Sequence, residues 1–403
     1  MTERVRIAIT GIGSVNALGV GVDAFADGLR SGRCAIGRLT QLPDEGYRST
    51  IAAEAPEVAP PPGLPARAAR RAGRTARLAL AAADEAWRQA GLTDGRAVGI
   101  VLGTTTGGMA GAEALYRAEC DSRARRGRVG GWLQAPVAVA GDLIALLIGS
   151  SGPRLTVSTA CSSGANALGL AADWIRAGRV AAVLCGGSES LCRTTYSGFN
   201  ALQALDREPC RPFDRRRAGL SLGEGAALFV FEEWSAAERR GAHILGELLG
   251  YGVSADAHHL TQPRPDAAGA VLAIERALAD AQLSAAALDY VNAHGTGTPL
   301  NDVAETRAIR QVLGARAAVV PVSSTKSQVG HCLAAAGAIE ALAALLGMRG
   351  GFAPPTATLA EPDPECALDH VPRVSRAAVL RTVLSNSYGF GGNNTSLVLG
   401  AAA

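Results

Sequence analysis

Cys161 stands where the chain turns from a predicted strand, residues 154–158, into a predicted helix, residues 162–177. Free backbone NH groups and the helix dipole at such a junction stabilise a thiolate and any oxyanion formed beside it. Small residues on both sides leave room for an acyl group. A buried, inert cysteine is the alternative interpretation, but the junction and the neighbouring hydroxyl groups favour a nucleophile.

Two histidines occupy similar turns further along the chain. His294 lies in the Gly- and Thr-rich segment 292–299 after a predicted strand, and His331 follows Gly330 at the start of a predicted helix. Because a helix N-terminus disfavours imidazolium, His331 is expected to be neutral and able to donate one hydrogen bond. Two neutral imidazoles can together stabilise a developing enolate. A purely structural turn residue is the alternative for His294 taken alone.

Lys326 is the only lysine among 39 lysine and arginine residues, and it lies in the small, polar segment 323–331 that ends in His331. A compact ammonium with three donors is not interchangeable with the planar guanidinium in a confined site. The alternative, a lysine that remains on the surface by chance, is the weaker interpretation, so Lys326 is predicted to occupy a confined site.

The turn 388–394 is dense in glycine and carries one bulky apolar side chain, Phe390. Glycines permit a sharp path and a close backbone approach to a ligand, and Phe390 is a bulky side chain that could swing. An ordinary tight connection between strands is the alternative for this segment taken alone.

The elements that must position these residues form a pattern that occurs twice. Short apolar runs bounded by glycine alternate with Ala- and Leu-rich helical patterns. The predicted strands are residues 5–10, 98–103, 154–158, 180–186, 226–232, 245–253, 288–292, 318–323, 379–385 and 395–399, and the predicted helices are residues 78–90, 162–177, 267–281, 304–313 and 331–348. The alternation predicts an α/β protein with two similar halves, residues 1–250 and 251–403. Runs 226–232 and 245–253 are expected to pair and close the first half.

Composition excludes several classes of function. The chain of 403 residues is 48% hydrophobic and 19% charged, as in a globular protein with a large core. A net charge of +3 and few aromatic residues argue against nucleic acid. The longest apolar stretches, 136–149 and 332–347, contain Asp142 and Glu340 and are too short for a bilayer. Eight cysteines without zinc-ligand spacing, and an N-terminus without a signal-peptide pattern, predict a cytoplasmic protein with reduced thiols and no metal.

Taken in order, the four segments resemble the β-ketoacyl-(acyl carrier protein) synthases, the elongating type I/II ketosynthases of the thiolase superfamily. Residues 211–214 and 223–227 resemble the middle segment of that family, so the resemblance covers essentially the whole chain. It implies a thiolase-like five-layered αβαβα fold of two duplicated halves and an obligate dimer. It also implies an acyl carrier protein as partner and no cofactor of the chain's own, because that partner carries the phosphopantetheine.

The same resemblance implies roles for individual residues. Cys161 would receive the acyl chain, and His294 and His331 would assist malonyl decarboxylation and stabilise the enolate. The backbone NH groups of Cys161 and Phe390 would form the oxyanion hole, with Phe390 as a gate, and Lys326 would pair with Glu305. The implied substrate contacts are Thr296, Thr298 and Thr261 at the phosphopantetheine arm, Gly389 and Gly391 in the turn, and Thr106, Phe199 and Asn200 at the acyl pocket. Many family members have a larger aliphatic residue where Thr106 stands, which leaves chain length open, and segment 121–137 matches too poorly for a carrier-docking surface to be transferred.

Three alternatives are weaker. A degradative thiolase needs a second cysteine near the C-terminal glycine turn, and residues 385–394 have none. In an initiating synthase with a Cys/His/Asn set, asparagine would stand where this chain has His331. A non-catalytic partner subunit would lack the nucleophile, whereas this chain keeps Cys161. The sequence therefore predicts a ketosynthase that releases CO2 in fatty-acid or type II polyketide or polyene elongation, as a homodimer or as the catalytic subunit of a heterodimer with a chain-length partner.

Overall fold

The computed structural model describes residues 4–43, 45–120 and 129–402, so residues 121–128 of segment 121–137 lie outside the described residues. The strands are β1 (Ile7–Asn16), β2 (Gly19–Val20), β3 (Gly37–Arg38), β4 (Ile51–Ala52), β5 (Gly99–Gly103), β6 (Arg154–Val157), β7 (Ala182–Glu189), β8 (Gly225–Glu233), β9 (Gly246–Ala255), β10 (Tyr290–Asn292), β11 (Pro321–Ser323), β12 (Phe352–Ala353), β13 (Asp369–His370), β14 (Arg376–Ala377), β15 (Thr382–Gly389) and β16 (Asn393–Ala401). The helices are α1 (Val22–Ser31), α2 (Ala66–Ala69), α3 (Arg74–Ala90), α4 (Met109–Cys120), α5 (Val139–Ile148), α6 (Ser163–Arg176), α7 (Arg193–Ala201), α8 (Trp234–Arg239), α9 (Ala268–Asp280), α10 (Pro299–Leu313), α11 (Lys326–Val329) and α12 (Ala336–Gly350).

The large sheet consists of two blocks with the same strand pattern. Within the described residues its order is β13-β11-β10-β15-β16-β9-β1-β8-β7-β5-β6, with β2 beside β1. In the block β6-β5-β7-β8-β1, the first two neighbouring pairs are parallel and the last two antiparallel. The block β11-β10-β15-β16-β9 repeats this pattern pair by pair. The repeat confirms that the fold is built from two duplicated halves.

The helices form three layers around these two blocks. Helices α6 and α12 pack against each other and contact strands of both blocks, so they form the central layer. Helices α3 and α5 cover the other face of the first block, while α9 covers the second block and carries α10 on its side. The five-layered αβαβα arrangement predicted from the resemblance is therefore confirmed.

The sequence of the central layer follows from its position. Every residue of α12 from Ala336 to Met348 is buried. A Cβ atom at Gly337 would lie 2.8 Å from the Cβ of Ala165, so small residues set the distance between α12 and α6. The segment Leu333–Gly350 is long and apolar enough to cross a membrane, but 89% of it is buried in the fold. Its apolarity is explained by a place between two sheets.

Three details of the sequence prediction are wrong. Strand β9 pairs with β16 over nine registered positions and with β1 over two, but not with β8, so it belongs to the second half and a boundary at residue 250 would cut it. The helix predicted over 331–348 begins only at Ala336, after a 3₁₀ turn at Leu333–Ala335. His331 instead forms a β-bridge with Leu222. The strands predicted over 288–292 and 318–323 are shorter than expected, starting at Tyr290 and Pro321.

Candidate active site

Cys161 sits on a sharp elbow between β6 and α6. Ala160 has φ of 53°, a left-handed conformation that an L-residue adopts only at a cost of about 1–3 kcal/mol. Two hydrogen bonds hold the elbow: the Ser163 hydroxyl donates to the carbonyl of Ala160 at 2.6 Å, and the NH of Thr159 donates to the Ser163 hydroxyl at 2.8 Å. The predicted junction of strand and helix is present, and it directs Cys161 into a cavity.

The electrostatics of Cys161 differ from the sequence prediction. Its side chain is 6% exposed, and burial raises the pKa of the Cys161 thiol to about 11. The Lys326 ammonium and the backbone NH of Phe390 lower this pKa, but they do not offset burial. The predicted stabilisation of a thiolate by the junction is therefore outweighed, because a thiolate in this site is desolvated more than it is stabilised.

The turn between β15 and β16 brings a second backbone donor to the cysteine. The backbone NH of Phe390 lies near the Cys161 side chain and lowers the pKa of its thiol. A Cβ atom at Gly389 would lie 2.8 Å from the carbonyl oxygen of Thr159 and 3.3 Å from the nitrogen of Cys161, so only glycine permits this approach. The Phe390 ring stacks on Phe199 with centroids 5.7 Å apart, which holds the predicted gate against α7.

Lys326 connects the first histidine to a buried carboxylate. Its side chain is 1% exposed, and Nζ donates to the carbonyl of His294 at 2.6 Å and lies 3.1 Å from His294 Nδ1. Because an ammonium group can only donate, Nδ1 must accept, and the proton of the neutral His294 ring then resides on Nε2. Nζ also forms an ion pair with Glu340. The prediction that Lys326 pairs with Glu305 is wrong.

Glu305 binds the histidine loop instead. Its two carboxylate oxygens accept the backbone NH groups of His294, at 2.8 Å, and Gly295, at 2.7 Å. Burial raises the pKa of Glu305 to about 7, and these NH groups counteract the rise. Glu340 was the residue that sequence reasoning missed as the partner of Lys326. Its signal was present, because a lone carboxylate inside an apolar helix must be paired when it is buried.

The His331 ring faces the His294 ring across the site. The two rings are 5.4 Å apart and nearly perpendicular, at 85°. Burial, followed by the positive charge of Lys326, lowers the pKa of both rings well below the usual value of 6.5. Both imidazoles are therefore neutral at physiological pH. For His331 the cause is burial beside an ammonium group rather than the helix N-terminus that the sequence suggested.

One cavity of about 370 Å³ joins most of the predicted residues. Its lining includes Cys161, Phe199, Thr261, His294, Thr296, Thr298, His331, Gly389 and Phe390. The hydroxyls of Thr296 and Thr298 are 2.8 Å apart on its wall. Sequence reasoning missed Tyr388, which also lines the cavity and whose ring centre lies 5.6 Å from that of His294. An aromatic residue directly before the glycine turn was the available signal.

Three predicted contacts lie outside the lining of this cavity, as far as the described residues define it. The Thr106 hydroxyl donates to the buried Glu189 at 2.5 Å. The Asn200 amide donates to the carbonyl of Tyr196, and its oxygen accepts the NH of Ser49, both at 3.0 Å. Gly391, with φ of 82°, donates its NH to the carbonyl of Leu260. These groups hold loops in place.

Comparison with known proteins is consistent with this geometry. The family model of the β-ketoacyl synthase N-terminal domain matches residues 4–237, and that of the C-terminal domain matches residues 245–360. The chain is 37% identical to 3-oxoacyl-[acyl-carrier-protein] synthase 2 of Synechocystis sp., with 98% of each chain covered. It is 39% identical to the ketoacyl synthase alpha subunit of the tetracenomycin polyketide synthase of Streptomyces glaucescens, covering 98% of this chain and 96% of that one.

Solved structures give the same result. The ishigamide ketosynthase/chain length factor matches with a TM-score of 0.93 and 36% identity over 100% of both chains. A β-ketoacyl synthase from Burkholderia phymatum matches with a TM-score of 0.91 and 35% identity, over 99% of this chain and 100% of that one. With two domain models, full-length relatives and the same fold in agreement, the chain belongs to the β-ketoacyl synthase family.

Proposed function

We propose that this protein is a decarboxylating condensing enzyme that joins an acyl group to malonyl-carrier protein. The observation that carries the proposal is one cavity that presents a cysteine sulfur and two neutral imidazoles. The products are 3-oxoacyl-carrier protein and CO2. The carrier protein brings the phosphopantetheine, so the enzyme needs no cofactor of its own.

The first half-reaction loads Cys161. Its sulfur attacks the carbonyl carbon of an acyl thioester, and the NH groups of Cys161 and Phe390 stabilise the oxyanion that forms. When this intermediate collapses, the bond to the carrier sulfur breaks and the proton of the cysteine thiol passes to that sulfur. The pKa of about 11 indicates that the Cys161 thiol is protonated before the reaction. Its proton is then available for the carrier sulfur, so no proton has to leave the site.

The second half-reaction uses the histidines. Loss of CO2 from malonyl-carrier protein leaves an electron pair that becomes an enolate, whose oxygen receives hydrogen bonds from His294 and His331. The enolate carbon attacks the acyl carbonyl on Cys161, and the cysteine leaves as a thiolate that takes up one proton. Lys326 supports this step by fixing the His294 tautomer with its proton on Nε2, the nitrogen that faces away from the ammonium.

The carrier arm would enter along the wall that holds Thr261, Thr296 and Thr298. Their hydroxyls match the amide groups of phosphopantetheine, since each hydroxyl can both donate and accept a hydrogen bond. The partner is then an acyl carrier protein. Cysteines that are all free thiols among the described residues support the cytoplasm as the place of action.

A second candidate differs only in the partner subunit. Two similar structures are described as a ketosynthase with a chain length factor. The similar Streptomyces protein is named as an alpha subunit. The chain could thus act as the catalytic member of a heterodimer with a related non-catalytic chain, instead of as a homodimer. Both candidates use the same cavity and the same nucleophile, so the first test addresses the chemistry.

The test replaces the nucleophile. Cys161→Ala should form no acyl-enzyme with acyl-carrier protein and give no 3-oxoacyl product, because the covalent intermediate cannot form. Intact-mass analysis of the loaded protein and of the carrier protein measures both. Cys120→Ala removes an exposed thiol and serves as the matched control, which should load and condense like the unmodified protein. Condensation by the Cys161→Ala variant would refute the proposed function.

A further inference from the structure

An ion pair with a fully buried carboxylate, Arg74–Glu224, lies beside the active site without lining its cavity. Glu224 has 0% exposure, and Arg74 donates to its two oxygens from Nε at 2.8 Å and from Nη2 at 2.5 Å. The same carboxylate accepts the backbone NH groups of Ala55 and Leu191, both at 3.1 Å, and the side-chain amide of Gln41 at 2.7 Å. Five donors thus converge on one side chain, which ties three separate segments of the first half to residue 224.

The segment that Glu224 anchors holds the backbone of His331. The NH of His331 donates to the carbonyl of Ser221 at 2.7 Å, and its carbonyl accepts the NH of Gly223 at 3.0 Å. On its other side, segment 221–224 is bound to Ala53, whose NH donates to Leu222 and whose carbonyl accepts the NH of Glu224. Two parallel β-bridges, Ala53 with Gly223 and Leu222 with His331, thus form a small ladder whose middle segment lies directly before β8.

The packing of this ladder leaves little room for adjustment. A Cβ atom at Gly223 would lie 2.2 Å from the carbonyl oxygen of Val329 and 3.2 Å from the sulfur of Cys332. Burial raises the pKa of Cys332, the residue after His331, and the nearby charges of Glu340 and Glu224 add to this rise. A shift of segment 221–224 would thus be transmitted to the histidine rather than absorbed.

Arg74 stands at a place that disfavours a cation. It is the first residue of α3, where the helix dipole presents its positive end. Its side chain is 11% exposed and also contacts Glu57 and the carbonyl of Ala55. The carboxylates that Arg74 binds, above all the buried Glu224, offset the unfavourable interaction of its guanidinium with the helix dipole.

We infer that the Arg74–Glu224 pair positions His331 for decarboxylation and condensation, while acylation of Cys161 does not depend on it. Cys161 and the NH of Phe390 are held by α6 and the β15–β16 turn, which Glu224 does not contact through any hydrogen bond of the described residues. Glu224 and Arg74 are thus positioning residues for one half-reaction. The inference rests on the proposed role of His331.

The test compares two buried carboxylates that each bind an arginine, Glu224 directly before β8 and Glu232 near the end of β8. Glu224→Gln should slow malonyl-carrier protein decarboxylation about tenfold or more and leave the rate of Cys161 acylation within about twofold. Glu232→Gln is the matched control, because Glu232 is 3% exposed and accepts from Arg240 at 2.8 and 2.5 Å. It lies eight residues along β8, about 27 Å away at 3.3–3.4 Å per residue. Glu232→Gln should not change the ratio of the two rates.

Arg74→Lys is the second variant and keeps the test valid if Glu224→Gln does not fold. Lysine keeps the charge but cannot bind both carboxylate oxygens from two fixed nitrogens, so the same selective loss is expected in weaker form. Equal loss of acylation and decarboxylation in both variants, or full decarboxylation in both, would overturn the inference. A wild-type protein that neither acylates Cys161 nor decarboxylates malonyl-carrier protein would instead refute the proposed function itself.

Discussion

The ammonium group of Lys326 donates to three acceptors: the carbonyl oxygen and Nδ1 of His294, and the carboxylate of Glu340. This arrangement explains why the chain keeps a lysine at this position although it uses arginine everywhere else. The three donors of an ammonium point in tetrahedral directions, whereas a guanidinium is flat and longer. With 1% of the side chain exposed, the larger group has no room to turn outward.

Replacement of this lysine by arginine tests that explanation. Lys326→Arg should fold and should still load Cys161, but it should condense about tenfold more slowly or worse, because the planar group displaces His294. Single-turnover measurements of acylation and of product formation separate the two steps. Arg88→Lys, at an exposed pair with Asp84, is the matched exchange and should change neither rate. Full condensation by Lys326→Arg would show that only the charge matters.

Residue types and their glycine-rich settings were enough to predict that Cys161, His294 and His331 belong to one site, since all three line one cavity. The sequence marked Glu340 as a carboxylate that needs a partner, but it did not decide between Glu305 and Glu340 as the partner of Lys326. Both are buried carboxylates on helices, and spacing along the chain does not show which one faces the ammonium. The pKa of Cys161 was misjudged for a related reason. Burial depends on the whole fold, whereas the helix dipole can be recognised locally.

Among the elements, the β15–β16 turn must be placed closely against the elbow that carries Cys161. Its strands pair over eight registered positions, from Thr382 with Gly400 to Gly389 with Asn393, and the turn then meets the elbow that precedes α6. Element types were well predicted from periodicity, whereas the ends were not. The helix expected from His331 starts five residues later, because the backbone of His331 pairs with Leu222, a residue more than 100 positions away.

A methyl group at residue 389 tests how closely this turn must approach the cysteine. Gly389→Ala would place Cβ 2.8 Å from the carbonyl oxygen of Thr159, so the turn must shift and the NH of Phe390 must move away from Cys161. Acylation should slow about 10²-fold, the typical cost of losing one oxyanion donor. Gly198→Ala, where a Cβ meets nothing within 4 Å, is the control. Acylation by Gly389→Ala at the wild-type rate would mean that the NH of Phe390 is not needed.

For the whole molecule, the sequence indicated duplication because the alternation of strands and helices restarts. It could not show where the halves divide. Strand β9 follows β8 along the chain, yet its main partner is β16, almost 140 residues later, and its short pairing with β1 joins the two blocks. Long-range pairing of this kind leaves no local trace in composition or periodicity. The candidate active site is also built from residues far apart in the sequence, since Cys161 lies in the first half and both histidines lie in the second.

The central layer implies that neither half is stable alone. Helix α12 belongs to the second half and contacts β7 and β8 of the first, while α6 of the first half contacts β9 and β16. A fragment of residues 1–240 would expose the face of α6 that packs on α12, where a Cβ at Gly164 would lie 3.0 Å from the backbone nitrogen of Ala338. Exposure of this apolar face of α6 would favour aggregation over folding.

We therefore expect residues 1–240 expressed alone to be insoluble or to lack protected amide hydrogens. Co-expression with residues 241–403 should restore a folded protein whose Cys161 can be acylated, because the break falls after Arg240 in a surface turn where Gly241 is exposed with φ of 70°. Hydrogen exchange of the intact protein should show protection in α6 and α12 lost together in one cooperative unit. A fragment 1–240 with protected amides in α6 would show that the halves fold independently and that the central layer only docks them.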